Sequence, residues 1–403
     1  MLRKFIKAAA ALVALAVFAL AVVFLLLWHE HNTPLVLPTP TGPFAVGRAN
    51  YTWVNNAVSD ELSPNGSEKE TVVVWIWYPA APDGHSRPAD YFPPAWQAAL
   101  ARHSGTLLTF LTRDPNRIQV HSMLDVPVSP GHRSYPIVIM RAGGAAFTTD
   151  YTTLAEDLAS HGYFVVGIDA PYRTTVVVLP DGHVIERIPS ANLDLVDDAG
   201  VHRMAEKLLP MWTGDIRFVL QQLDGLNTDD PGGRFIGKLD FSRLGTFGHS
   251  FGGAQALQFC HDDSRCRAAI DIDGIAFGSV VQQGLDKPGM ILMSDHSREM
   301  SDPESREIIS TLQSIYSRFP TGAFVTIRGA NHFSFSDQIV LRSQLLISAL
   351  MGVRVFGHLA PRRGLAISAD YVHTFFDVYL NGAQPSQLAT LTSKYPEIQA
   401  ESH

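Results

Sequence analysis

Residues 244–253 read Leu-Gly-Thr-Phe-Gly-His-Ser-Phe-Gly-Gly: an apolar run, a Gly-x-Ser-x-Gly turn centred on Ser250, and then a helix-compatible run over 254–259. A strand that turns directly into a helix needs a strained backbone at the turning residue and neighbours without bulk. Gly248 and Gly252 supply that room. The Ser250 hydroxyl is then held clear of the sheet edge, with the Phe251 N–H beside it, placed to bond an oxyanion. The same pentapeptide could close a merely structural glycine-rich turn, but the flanking strand and helix favour a reactive serine.

The rest of the chain supplies a sheet for this turn. From Pro136 onward, apolar strand-like runs at 137–140, 163–168, 268–272, 290–293 and 323–327 alternate with helical stretches at 151–160, 201–223 and 368–380. Asp150 is placed to cap the first helix, Pro210 to interrupt or kink the second, and Asn381-Gly382 to close the third. This alternation predicts an α/β fold with one mostly parallel, doubly wound sheet, and a single catalytic domain over 49–403. Ahead of it, β-rich runs at 51–55 and 70–78 flank Asn65-Gly66 and predict an antiparallel pair at the domain's edge. Residues 83–134 form an irregular insertion whose apolar stretches, 95–100 and 107–111, fit either a packed surface helix or a lid facing substrate.

The N-terminus carries Arg3, Lys4 and Lys7 before an uncharged run over 8–28, about the length of a bilayer-spanning helix. Ala14-Leu15-Ala16 and Ala19-Leu20-Ala21 resemble processing sites, yet more apolar residues follow both. An uncleaved signal anchor over 1–28 is therefore expected ahead of a cleaved signal peptide. The positive flank places the catalytic domain outside the cytoplasm, periplasmic or extracellular, and secreted if the segment is cut. Residues 29–48, rich in Pro, Gly and Thr, read as a linker. Cys260 and Cys266 are the only cysteines, and the polar loop between them would let a disulfide staple the helix after Ser250 to the next strand. His261 and two cysteines lack a fourth ligand at zinc-site spacing. The net charge of −8, with no basic cluster beyond the N-terminus, argues against a nucleic-acid partner.

A serine hydroxyl is a poor nucleophile until a base, itself oriented by a carboxylate, takes its proton. In sheets of this kind such groups gather beyond the C-terminal ends of the strands. His332 follows the run at 323–327, comes after Ser250 in the chain, and is the candidate base. His249, inside the turn, is expected to point away from the serine and to be structural. Three carboxylates stand at or near strand ends: Asp273, Asp295 and Asp271. Position favours Asp273 and leaves the other two open. The second oxyanion N–H belongs to the loop after the first parallel strand, with Gly144 preferred and Gly143 or Ala145 as alternatives. No metal or other cofactor is expected.

The segments Gly248-His249-Ser250-Phe251-Gly252-Gly253, Asp157-Leu158-Ala159-Ser160-His161-Gly162-Tyr163, Ile272-Asp273-Gly274 and Asn331-His332-Phe333-Ser334-Phe335-Ser336-Asp337 together resemble the plasma-type platelet-activating-factor acetylhydrolases. The likeness runs over about 71–380. It implies an α/β-hydrolase fold and metal-free removal of short or oxidised acyl chains from phospholipids. It also implies Ser250 as nucleophile, Asp273 as acid, His332 as base, and the N–H groups of Gly144 and Phe251 as the oxyanion hole. The chain departs from the eukaryotic members at Ala142-Gly143-Gly144-Ala145, where they carry a His-Gly-Leu-Gly type sequence, and at Ile275, where they carry a large aromatic. Both departures would reshape the acyl pocket. A general short-chain carboxylesterase or lipase is the alternative enzyme, and a non-catalytic, membrane-displayed binding module is the reading from another class.

Overall fold

A computed structural model describes residues 2–144, 146–297, 299, 302–343 and 358–402. The apolar runs pair side by side: strands Phe164–Asp169, Tyr135–Arg141, Leu239–His249, Cys266–Ile272, Gly289–Met293 and Gly322–Ile327 lie in that spatial order, all parallel. Helices cover both faces, so these strands are continuous in apolar character rather than alternating; Tyr135–Arg141 and Gly289–Met293 are buried throughout. The sheet becomes antiparallel at both flanks. Lys69–Ala80 pairs with Phe164–Asp169 and with Ala45–Ser59, and Ile398–Ser402 pairs with Gly322–Ile327. The expected antiparallel pair is present, with Asn65 and Gly66 at φ 62° and 59° between its strands, but it is not the edge: Ile118–Leu124 and then Leu35–Val36 extend the sheet beyond Ala45–Ser59.

Two apolar layers sandwich the sheet. One sets Trp75 and Trp77 against Leu154 and Leu158 of helix Thr152–Ser160 and Phe375 and Phe376 of helix Pro361–Asn381. The other sets Ile76 and Phe164 against Val219 and Leu223 of helix Asp198–Thr228 and Leu257 of helix Phe251–Asp262. Each large aromatic buried here takes roughly 150–250 Å² out of water, or about 4–6 kcal/mol of transfer free energy. Helix Asp198–Thr228 continues through Pro210, so the proline does not interrupt it. Asp197 caps it, its carboxylate accepting from Gly200 N–H at 2.9 Å. A disulfide joins Cys260 to Cys266, tying helix Phe251–Asp262 to strand Cys266–Ile272 as the spacing suggested.

Helix Leu2–Asn32 carries the apolar N-terminal run with its side chains exposed, and among the described residues it alone is long and apolar enough to cross a bilayer. Its far end touches the domain. Phe24 stacks on Phe110 at 5.3 Å, and Arg113 Nη1 donates to the carbonyls of Glu30 and Thr33. Residues 29–48 are not the free linker that their composition suggested. Residues 29–32 continue the helix, and strand Leu35–Val36 pairs with Ile118–Leu124. Leu37 is buried, Thr41 N–H and Oγ1–H donate to Asp157, and the next strand already begins at Ala45. Backbone hydrogen bonds dock this stretch, and they leave no mark in composition. The insertion at 83–134 packs as well: Tyr91, Phe92, Trp96 and Ala99 are buried, and Ile118–Leu124 joins the sheet.

Candidate active site

Ser250 stands where strand Leu239–His249 meets helix Phe251–Asp262, with φ 56° and ψ −129°. Such a backbone costs a non-glycine residue roughly 1–3 kcal/mol and persists only when its surroundings dictate it. Here they do: Ser250 N–H donates to Ile272 C=O at 2.9 Å, and Gly253 N–H donates to Ser250 C=O at 2.8 Å. The flanking glycines are steric necessities. A Cβ at Gly248 would lie 2.1 Å from the Gly252 carbonyl oxygen, and one at Gly252 would lie 2.4 Å from that of Arg141.

Asp273 leaves the end of strand Cys266–Ile272 at φ 50°. Its Oδ2 accepts from His332 Nδ1 at 2.9 Å and from Ser294 Oγ at 2.9 Å. Its Oδ1 accepts from Ser294 N–H at 2.7 Å and from His296 Nε2 at 3.0 Å. Burial alone would raise this carboxyl; the bonds from His296 and His332 outweigh it and hold Asp273 well below the usual carboxylate range. His296 is in turn clasped between two carboxylates, with Glu299 Oε2 2.6 Å from its Nδ1. The bond to Asp273 raises it to about 9, so both ring nitrogens carry protons at neutral pH.

The structure therefore brings one of the three candidate acids to the histidine. Asp295 serves the same loop from behind, accepting from Gly329 N–H at 2.8 Å while its own N–H donates to Ala330 C=O at 3.0 Å. Asp271 is fully buried under the serine turn, its Oδ1 filling the space that the missing Cβ atoms of Gly253 and Gly274 would occupy. Burial and the adjacent Asp273 charge push it up to about 8, so it is a neutral acid at pH 7.

His332 opens the short turn His332–Phe335, which Asn331 caps by accepting from Phe333 N–H at 3.2 Å. With Nδ1 donating to a carboxylate, its Nε2 is the acceptor. His249 was expected to point away from the serine, yet it lines the same cavity as Ser250, and its ring is fixed by two hydrogen bonds. Its Nε2 lies 2.7 Å from the His332 carbonyl, which can only accept, so Nε2 carries the proton and Nδ1 accepts from Tyr151 O–H at 2.7 Å. The Tyr151 oxygen accepts from Gly143 N–H at 3.3 Å. Desolvation pushes His249 down to about 3 and keeps it neutral for this role. The chain Gly143–Tyr151–His249–His332 thus ties the glycine loop to the histidine loop.

Ser250, Phe251, His332, Gly143 and Gly144 line one cavity of about 340 Å³. Gly143 is close to the serine, since its Cβ would sit 3.3 Å from that of Ser250, but Tyr151 occupies its N–H. Gly144 is held by Arg187, whose Nη1 donates to its carbonyl at 3.0 Å, and it opens on the cavity. Ala145 lies outside the described residues. Leu193, Val201, Ile275 and Phe277 supply an apolar wall, and Phe333, Gln338 and Arg342 continue the lining beyond His332. Among the described residues, none of 83–134 lines it. Tyr151 carried no signal in the sequence and His296 only a weak positional one, because each acts through a partner distant in the chain.

Among the described residues two clusters bring three possible metal ligands within 4.8 Å: His249, Asp273 and His332, and Asp157, His161 and His373. In the second, the groups already satisfy one another. Asp157 accepts from Thr41 through Oδ1 and from His373 Nδ1 through Oδ2, and His161 Nε2 meets Thr41 Oγ1 at 2.9 Å. The Asp157-to-Tyr163 motif thereby clasps the segment around Thr41 and helix Pro361–Asn381 to the domain.

The family described as Platelet-activating factor acetylhydrolase, isoform II, matches residues 30–176 and 225–385. A "Probable 1-alkyl-2-acetylglycerophosphocholine esterase" of Arthroderma benhamiae is 26% identical over 390 residues, covering 90% of this chain and 93% of the relative. The platelet-activating factor acetylhydrolase of Cavia porcellus is 23% identical over 337 residues, covering 75% and 69%. Among solved structures, a ferulic acid esterase from Streptomyces cinnamoneus superposes with a TM-score of 0.74 at 24% identity, over 91% of this chain and 99% of that one, a likeness of fold. With the family's pattern matched on both sides of the serine turn, the chain belongs to the platelet-activating factor acetylhydrolase, isoform II, family.

Proposed function

We propose that this protein is a serine ester hydrolase acting on short acyl chains at the sn-2 position of glycerophospholipids, through an acyl-enzyme. The observation that carries the proposal is the Asp273–His332 hydrogen bond of 2.9 Å, in a cavity that Ser250 enters from a strained turn. Ser250 Oγ attacks the ester carbonyl while His332 Nε2 takes its proton. The oxyanion is met by the N–H groups of Phe251 and Gly144. His332 then protonates the departing alcohol, and a water activated by the same nitrogen releases the acid. Asp273 fixes the His332 tautomer and offsets its transient charge.

The substrate class comes from the family and from the names of the relatives, which specify an acetyl ester on a glycerophosphocholine. Helix Leu2–Asn32 fits a signal anchor whose basic end stays in the cytoplasm, leaving the domain on the outer side; cleavage would release it. The test is acetyl release from 1-alkyl-2-acetylglycerophosphocholine beside p-nitrophenyl acetate, using the parent and Ser250→Ala. Turnover of both by the parent and of neither by the variant is the expected result. Turnover of the soluble ester alone would leave a general short-chain esterase, and absence of serine-dependent turnover and of fluorophosphonate labelling would leave a binding module.

A further inference from the structure

The loop that carries His332 does not end its contribution at the base. It runs through the turn His332–Phe335 and the short helix Gln338–Leu341 to Arg342, and Phe333, Ser336, Gln338 and Arg342 all line the Ser250 cavity. Gln338 stands between a buried carboxyl and a guanidinium. Its Nε2 donates to Asp150 Oδ1 at 2.8 Å, and its Oε1 accepts from Arg342 Nε at 2.6 Å. These bonds fix the amide and seat the guanidinium by its Nε, leaving two Nη groups on a residue that faces the cavity. Asp150 is itself buried and meets Arg342 through Gln338 rather than in a direct ion pair.

The chemistry of ester cleavage says what lies along this loop. His332 must deliver a proton to the departing oxygen, so the alcohol half of the substrate lies against the loop that carries the histidine, and Arg342 ends that loop and lines the same cavity. The apolar wall of Leu193, Val201, Ile275 and Phe277 comes from other loops and suits hydrocarbon. A guanidinium fork matches two oxygens of a phosphate and its charge, whereas an uncharged alcohol offers a single neutral acceptor and no charge to pair with. We propose that Arg342, seated by Gln338, is a phosphate subsite that recognises the phosphodiester one carbon away from the scissile ester of a glycerophospholipid. This deepens the function proposed above and rests on it for the identity of the ester, but not for the anion site.

The test uses the full chain in detergent and two readouts. The first is inhibition of p-nitrophenyl acetate turnover by sn-glycero-3-phosphocholine; the second is the ratio of kcat/KM for 1-alkyl-2-acetylglycerophosphocholine to that for 1-alkyl-2-acetylglycerol. In Arg342→Gln the inhibition constant should rise, and the ratio fall, by about tenfold or more, the usual effect of losing a charged hydrogen bond. Arg342→Lys should recover part of each. An inhibition constant and a ratio that match the parent's would overturn the subsite. Should the Gln variant not fold, the Lys variant, which keeps the charge and loses the fork, decides by the same inhibition constant. A parent that turns over no phospholipid ester, yet loses glycerophosphocholine inhibition on substitution of Arg342, would sink the proposed substrate and leave the anion site standing.

Discussion

At the scale of single residues, carboxylates of like chemistry are sorted by what surrounds them. Asp273 receives hydrogen bonds from two imidazoles and Ser294 and stays ionised; Asp271, two positions earlier, is buried and holds its proton up to about 8. Asp273→Asn should therefore cost about 10⁴-fold in kcat, because an amide no longer fixes the His332 tautomer. Asp295→Asn should cost far less, since Asp295 braces Gly329 and does not touch the imidazole. Steady-state rates of the two variants on one ester decide this, and equal losses would move the acid's role. Asp271 makes a different prediction. Its folded value lies above the ordinary 3.8, so its contribution to stability is fully present below about pH 4 and is lost as pH rises towards 8. Asp271→Asn should then raise the melting temperature at pH 8, where the relief is on the order of a few kcal/mol, and change it little at pH 3.5. A shift of equal size at both pH values would contradict the assignment of a buried neutral acid.

At the scale of elements, the serine turn works because three backbones crowd into a space that only glycine leaves open. Gly252→Ala would drive a Cβ to 2.4 Å from the Arg141 carbonyl oxygen and 2.5 Å from that of Ala142, on the strand that also leads into the oxyanion loop. We expect a loss of several kcal/mol in denaturant unfolding together with loss of activity, and a variant with parental stability would show that the turn can relax. The Cys260–Cys266 bond closes a short loop between the following helix and strand, and reduction should cost about 2 kcal/mol, read as a fall in melting temperature. Much of this was visible in the sequence. Strands buried on both faces must be continuous apolar runs, so 137–140, 268–272 and 290–293 announced themselves, and so did the Gly-x-Ser-x-Gly turn. The amphipathic helix Pro303–Tyr316, the polar helix Ser386–Lys394 and the edge strand Ile398–Ser402 carried no such run. Position in the chain favoured Asp273 but could not close the choice against Asp271 and Asp295, because that depends on which strand end faces His332 across the sheet. Composition pointed the wrong way at 29–48, where main-chain bonds, the Thr41 side chain and the buried Leu35 and Leu37 dock a stretch that is otherwise rich in Pro, Gly and Thr.

At the scale of the whole molecule, the question is how an exposed apolar helix relates to the catalytic domain. Helix Leu2–Asn32 contributes none of the cavity's lining, and its side-chain contact with the domain is concentrated near its end, at Phe24 and His31 against Phe110. The domain's two apolar layers are complete without it, whereas residues 35–44 are bonded into the fold through Ile118, Asp157 and Ser160. Two truncations should consequently behave differently. A chain beginning at residue 29 should be soluble without detergent and keep serine-dependent hydrolysis of p-nitrophenyl acetate, with its melting temperature near that of the parent. A chain beginning at residue 45 removes the strand pairing with Ile118 and both bonds from Thr41 to Asp157, leaving buried acceptors unpaired, and should lose about 1–3 kcal/mol for each such group. Thermal melts of both chains beside the parent separate a tether from a structural segment. If the chain beginning at residue 29 melted as low as the shorter one, the apolar helix would be part of the fold, and membrane anchoring would lose its claim to be that helix's main role.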